Sequence, residues 1–162
     1  MAMAVMSWII ALPLLGICTG LRTMTPLALI CWYAHLGYLP VHGTWAFWTA
    51  SPIAVGVFTL LAVGEYIGDK LPRTPSRISP FALIARVSFG GLVGAIIGTS
   101  LMGSIIEGIL LGVMGALIGA FGGYHLRHFA VERTRWPDWR VALIEDGLTL
   151  LSSFFALGII TG

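Results

Sequence analysis

The chain has 162 residues, 57% of them hydrophobic and 10% charged, and its mean hydropathy is +0.93, whereas soluble domains carry about 25% charged residues. That composition excludes a water-soluble fold, and a formal charge of +2 is too small to direct the chain to nucleic acid. A single integral membrane domain over 1–162 is expected: an all-α, polytopic bundle of about six helices at roughly 20 residues per crossing.

Residues 1–21 carry no Asp, Glu, Lys or Arg and residues 23–64 carry none either, so Arg22 stands alone in a long apolar tract. Met1 to Gly20 lacks the basic start of a secretory signal, and Leu15-Gly16-Ile17-Cys18 lacks the small residue that precedes a lipoprotein cysteine. In lipid the backbone must satisfy itself, so the apolar runs read as helices. They are predicted over 4–20, 25–38, 51–70, 80–99, 103–128 and 138–161. Thr25-Pro26, Ser51-Pro52 and Ser79-Pro80 each offer a hydroxyl cap followed by proline at the first helical position, and Asp138 offers a fourth cap. The first two helices are short. They are either full crossings or the halves of a re-entrant hairpin that turns at Gly20-Leu21-Arg22, and Pro13 is expected to kink the first.

Lys70, Arg73 and Arg77 lie two crossings away from Arg127, Arg133, Arg135 and Arg140, so both basic groups share a side. By the positive-inside rule that side is cytoplasmic, which places the chain in a bacterial inner membrane with both termini outside. Segments 39–50 and 99–104 carry no Lys or Arg, and Trp45 and Trp48 suit an outer aromatic belt. Three helices in each half, running in opposite senses, would fit an inverted repeat.

Gly90, Gly94 and Gly98 on the fourth helix and Gly108, Gly112, Gly115, Gly119 and Gly122 on the fifth recur at spacings of three and four. Smooth faces of this kind let membrane helices approach closely, either on each other or in a homo-oligomer seam. Cys18 and Cys31 sit in apolar segments and read as packing residues. The chain has no Asn and no Gln, so a polar site must use charges, His, hydroxyls, aromatic donors or backbone.

The ionisable residues supply such a site. Arg22, Glu65 and Asp69, Arg86, and Glu145 and Asp146 come from four segments and fall at similar depth, about 5–12 Å inside the cytoplasmic boundary at 1.5 Å per residue. Charges in hydrocarbon are costly, so these groups should turn inward and pair. A salt-bridge network that only clips the bundle together is one reading. The other is a binding site of both signs beneath the N-termini of helices two, four and six, suited to a small ionic solute or protons. His125, His128 and Glu132 share one face and read as interfacial anchors rather than metal ligands, and Glu107 as a carboxylate at a helix start. No Walker loop, Gly-x-Ser-x-Gly elbow or His-Glu-x-x-His is present, so no enzyme activity, cofactor or metal is expected.

Gly20-Leu21-Arg22 with Pro26, then Glu65-Tyr66-Ile67-Gly68-Asp69-Lys70-Leu71-Pro72, and later Glu145-Asp146-Gly147-Leu148 together resemble the bacterial membrane family of domain of unknown function 4126. The resemblance spans about residues 16 to 158. It implies a multi-pass membrane protein and points to Arg22, Glu65, Asp69, Lys70, Arg86, Glu145 and Asp146. The sequence departs from the family pattern after Pro72, where Arg73-Thr74-Pro75-Ser76-Arg77 replaces acidic and aromatic residues and a His.

The first expectation is a small transporter or permease, homo-oligomeric through its glycine faces, that binds an ionic solute or protons in the charged cluster. The alternative is a non-catalytic protein that binds anionic lipid headgroups or scaffolds a membrane complex. A lipid-modifying enzyme, with paired carboxylates on a metal, comes third.

Overall fold

The computed structural model describes residues 7–69 and 78–162, and among them every regular element is helical. Helix α1 starts as a π-helical turn over Ser7–Ala11 and continues as an α-helix over Leu12–Leu21. Then come α2 (Met24–His35), a short 3-10 turn (Trp45–Ala50), α3 (Pro52–Gly68), α4 (Pro80–Ser100), α5 (Ile105–Thr134) and α6 (Asp138–Thr161). The π-helical turn lies just ahead of Pro13, which sits in the first turn of the α-helical part.

Helices α4, α5 and α6 are long and apolar enough to cross a membrane. The outer surface agrees: Phe81, Leu60, Ile106 and Leu151 are each about seven-tenths exposed or more. A water-soluble protein does not display apolar side chains on this scale.

Over the described residues the first two helices, at 15 and 12 residues, measure about 22 and 18 Å, against a hydrocarbon core of roughly 30 Å. One end of the bundle is marked by Ser7 Oγ donating to Ile159 O at 3.4 Å and by Trp45 Nε1 donating to Thr99 Oγ1 at 2.8 Å. Both described termini lie there. From that end α1 runs inward, the chain breaks at Arg22, and α2 returns. The break is level with Arg86 on α4 and Asp146 on α6, roughly 9 and 12 Å short of those helices' own starts. On α5 it is level with Ala120, roughly 21 Å before that helix ends. The first two helices thus form a hairpin whose tip lies inside the bundle, beside three long helices and α3, an arrangement in keeping with the re-entrant alternative.

Glycine decides how this pair fits. A Cβ on Gly112 would lie 2.2 Å from Gly90 O, and one on Gly108 2.3 Å from Gly94 O, so α4 and α5 touch backbone to backbone. Gly115 and Gly119 do the same against Pro13, Gly16, Ile17 and Gly20 of α1. Contact at this range is how membrane helices gain dispersion energy without a hydrophobic drive. Most of the glycine face of α5 is thus filled within the chain, by α1 as well as by α4, while Gly122 faces open space.

Two pairs of neighbours stay apart. Helix α3 rests on α2 and the 3-10 turn and hardly touches α4, while α6 packs more on α1 and α2 than on α5. The two halves of the chain run in opposite senses, yet α4 grips α5 far more closely than α1 grips α2. The inverted relation is one of direction rather than of packing.

Gly112→Ala should therefore force α4 from α5 and cost about 1–3 kcal/mol, as overpacking does. Gly122→Ala and Gly147→Ala, with open space around the new methyl, should be neutral or stabilising by up to about 1 kcal/mol. Thermal unfolding of the three variants in one detergent checks this, and equal behaviour would contradict it.

Candidate functional site

Breaking a helix inside an apolar bundle strands backbone groups that water cannot reach. At Arg22 the backbone is extended (φ −138, ψ 107), which leaves the last carbonyls of α1 and the first amides of α2 without helical partners. Two side chains from other helices meet them. Glu65 on α3 accepts from Thr23 N–H through Oε1 at 2.8 Å and from Met24 N–H through Oε2 at 2.9 Å. Arg86 on α4 donates through Nη1 to Gly20 O at 2.8 Å and Leu21 O at 3.1 Å. A carboxylate at a helix N-terminus and a guanidinium at a C-terminus each also complement the helix dipole.

This corrects the sequence reading of Thr25 as a cap. Helix α2 starts one residue earlier, because a carboxylate that takes two amides outcompetes a single hydroxyl. Thr25 Oγ1 instead shares a hydrogen bond of 2.8 Å with Tyr66 OH. Ser51 caps α3 as expected, accepting from Ala54 N–H at 3.0 Å. Ser79 makes no such bond to α4.

The Arg22 side chain is fully buried. Its Nη1 lies 2.7 Å from Asp69 Oδ2 and its Nη2 2.5 Å from Asp146 Oδ1, with the Tyr66 ring centroid 5.6 Å from its central carbon. At this range the two carboxylates oppose the buried positive charge of the arginine directly. Asp69 Oδ2 is shared with Arg127 Nη1 at 2.9 Å. Arg127 in turn grips Asp138 through Nε at 2.9 Å and Nη2 at 2.5 Å, with Glu145 Oε2 3.9 Å from Nη1. Among the described residues these contacts form one continuous network that joins Arg22 and Arg127 to Asp69, Asp138, Glu145 and Asp146.

Of the expected residues, Arg22, Asp69, Glu145 and Asp146 join this network, and Glu65 and Arg86 lie beside it as backbone caps. Lys70, with Arg73 and Arg77, falls outside the described residues. Arg127 and Asp138 were missed, one read as a loop cation and the other as a helix cap. The fifth helix was expected to stop at residue 128, whereas it runs to Thr134. Carrying it two turns further would have put Arg127 at the depth of Arg86. His128 Nε2 lies 3.1 Å from Glu132 Oε1 on the exposed surface, and His125 meets Tyr124 edge-on, both away from the network.

A cavity approaches the charges from each side, where the helices stand apart. One, of about 380 Å³ between α3 and α4, is lined by Thr23, Glu65, Asp69 and Arg86. The other, of about 330 Å³ between α5 and α6, is lined by apolar side chains and by Arg127 and Glu145.

A family model described as Domain of unknown function (DUF4126) matches residues 9–159. Neither the curated proteins nor the solved structures contain a significant match to the chain.

Removing one member of a buried ion pair strands the other, at about 3–5 kcal/mol. Arg22→Met should lower stability by that order, and Arg22→Met combined with Asp146→Asn should recover part of the loss. A double-mutant cycle by thermal unfolding measures the coupling; additive effects would mean that the pair is not formed.

Proposed function

The chain belongs to the family of domain of unknown function 4126, which carries no activity with it, and we propose from the site geometry that it is a small transporter or permease for protons or a small ionic solute. One observation supports this above the rest: charged side chains of both signs, Arg22 and Arg127 with Asp69, Glu145 and Asp146, meet inside the apolar bundle, and a cavity reaches them from either side. Charges held at membrane depth are costly and mark ion or proton paths where a cavity gives access to them. A clip whose only task was to hold helices together would need no such access.

The pairing within the network weighs against the lipid-headgroup reading. An anionic phosphate needs guanidinium to spare, whereas Arg22 and Arg127 are already engaged by carboxylates. On this reading the hairpin tip lies on the cytoplasmic side of a bacterial inner membrane. Glu65 and Arg86 hold the broken backbone, and Glu145, Asp146 and Asp69 are the groups that the solute or proton would meet.

Purified protein in vesicles containing a pH-sensitive dye tests this. An imposed pH or cation gradient should collapse faster than in protein-free vesicles, and Glu145→Gln, checked for unchanged thermal unfolding, should return the rate to that background. Identical rates with and without wild-type protein, across proton, sodium and potassium gradients, would defeat the transport reading.

A further inference from the structure

Both cavities reach the ion network from the charged end of the bundle. Toward the other end, marked by Ser7 and Trp45, the interior is apolar and closed: Leu12, Leu15, Ala156 and Leu157 are fully buried in one cluster. The seam between α1 and α6 departs from this pattern. On α6, Asp146, Thr149 and Ser153 follow one another at spacings of three and four, so they share a helix face. Contacts fix where that face points: Asp146 meets Arg22 at the end of α1, and Ser153 lies beside Cys18 within α1. Thr149 and Ser153 are 1% and 0% exposed, which puts their hydroxyls inside the helix contact and away from lipid. At 1.5 Å per residue they carry polar groups roughly 10 Å beyond the network.

The bonding of the two hydroxyls decides what they suit. Thr149 Oγ1 donates to Glu145 O at 2.8 Å, and Ser153 Oγ donates to Thr149 O at 2.7 Å. A hydroxyl has one donor and two acceptor positions, so with each donor returned to its own helix the seam presents oxygen lone pairs. Hydroxyls bonded in this way do not tie α6 to α1, and the bond to the carbonyl four residues back slightly weakens a helix. Cohesion alone would be served by Val and Ala at these positions. Oxygen acceptors at successive levels replace the hydration of a positive ion and offer nothing to an anion. We propose that this seam is the outward leg of the transport route and that the species carried is a proton or a small metal cation. The proposal rests on the transport reading and adds to it the sign of the charge. Asp146 stands at the inner end of the leg, and the cluster of Leu15 and Leu157 closes the outer end, so the structure is open toward the charged end and shut toward the other.

Gradient collapse in vesicles holding the full chain, run separately for protons, sodium, potassium and chloride, tests it. Wild-type protein should dissipate at least one of the three cation gradients and leave the chloride gradient at the protein-free rate. Thr149→Val keeps the shape and removes the hydroxyl, and should slow collapse about fivefold, the equivalent of one neutral hydrogen bond. Ser153→Leu, which fills the seam, should bring the rate to that of protein-free vesicles. Ser100→Ala on α4 removes another buried hydroxyl bonded to its own helix, at Ile97 O, and should leave the rate unchanged. Thermal unfolding checks that each variant is folded, and if Ser153→Leu is not, Thr149→Val decides. Cation collapse at the wild-type rate in folded Thr149→Val and Ser153→Leu would overturn the seam and keep the transport reading. Slowing by Ser100→Ala equal to that by Thr149→Val would also overturn it, as would collapse of the chloride gradient alone. Absence of any collapse with wild-type protein would remove the transport reading and this leg with it.

Discussion

A helix that ends inside an apolar bundle leaves carbonyls and amides with nowhere to turn, and in this chain the break at Arg22 imposes that problem on all the neighbouring helices. The amides of Thr23 and Met24 require an acceptor, and Glu65 brings α3 to supply it. The carbonyls of Gly20 and Leu21 require a donor, and Arg86 brings α4. The buried charge of Arg22 then requires carboxylates, which come from the end of α3 and from α6. Asp69, once there, recruits Arg127 from α5. The helices that barely pack on one another, α3 with α4 and α5 with α6, are tied instead through the hairpin tip.

The glycines make the intrusion possible. Helix α5 presents one stretch of small residues to α4 and the next to α1, and added methyls at Gly112 or Gly119 would strike the facing backbone at about 2 Å. With α1 and α4 both seated this closely, α6 is held off α5 near the charged end, and α3 is held off α4 by the hairpin tip between them. The two cavities follow from the same insertion that creates the charge cluster. Depth, charge and access therefore share one structural cause.

Much of this was legible in the sequence. Uncharged runs of helical length marked the long helices, and Ser51-Pro52 fixed the start of α3 because a hydroxyl and a proline there have no better competitor. The isolation of Arg22 between two apolar tracts marked the break, since a lone guanidinium in hydrocarbon demands partners. What the sequence hid was capping from a distance. Nothing local tells that the start of α2 is served by Glu65, 42 residues away from Thr23, rather than by Thr25. Arg127 was hidden for a different reason: polar residues after Gly123 imitate a helix end, although α5 continues through them to meet Asp138 and Asp69.

The residues of the sequence motifs consequently divide into two kinds. Glu65 and Arg86 form an opposed pair, each spent on the backbone groups of one broken end, and together they add no net charge. Asp69, Glu145 and Asp146 answer to Arg22 and Arg127. Neutralising a backbone cap perturbs the hairpin, whereas neutralising a carboxylate of the network leaves a guanidinium short of a partner in low dielectric. The two kinds of residue therefore fail in different ways, although both are drawn in by the same break at Arg22.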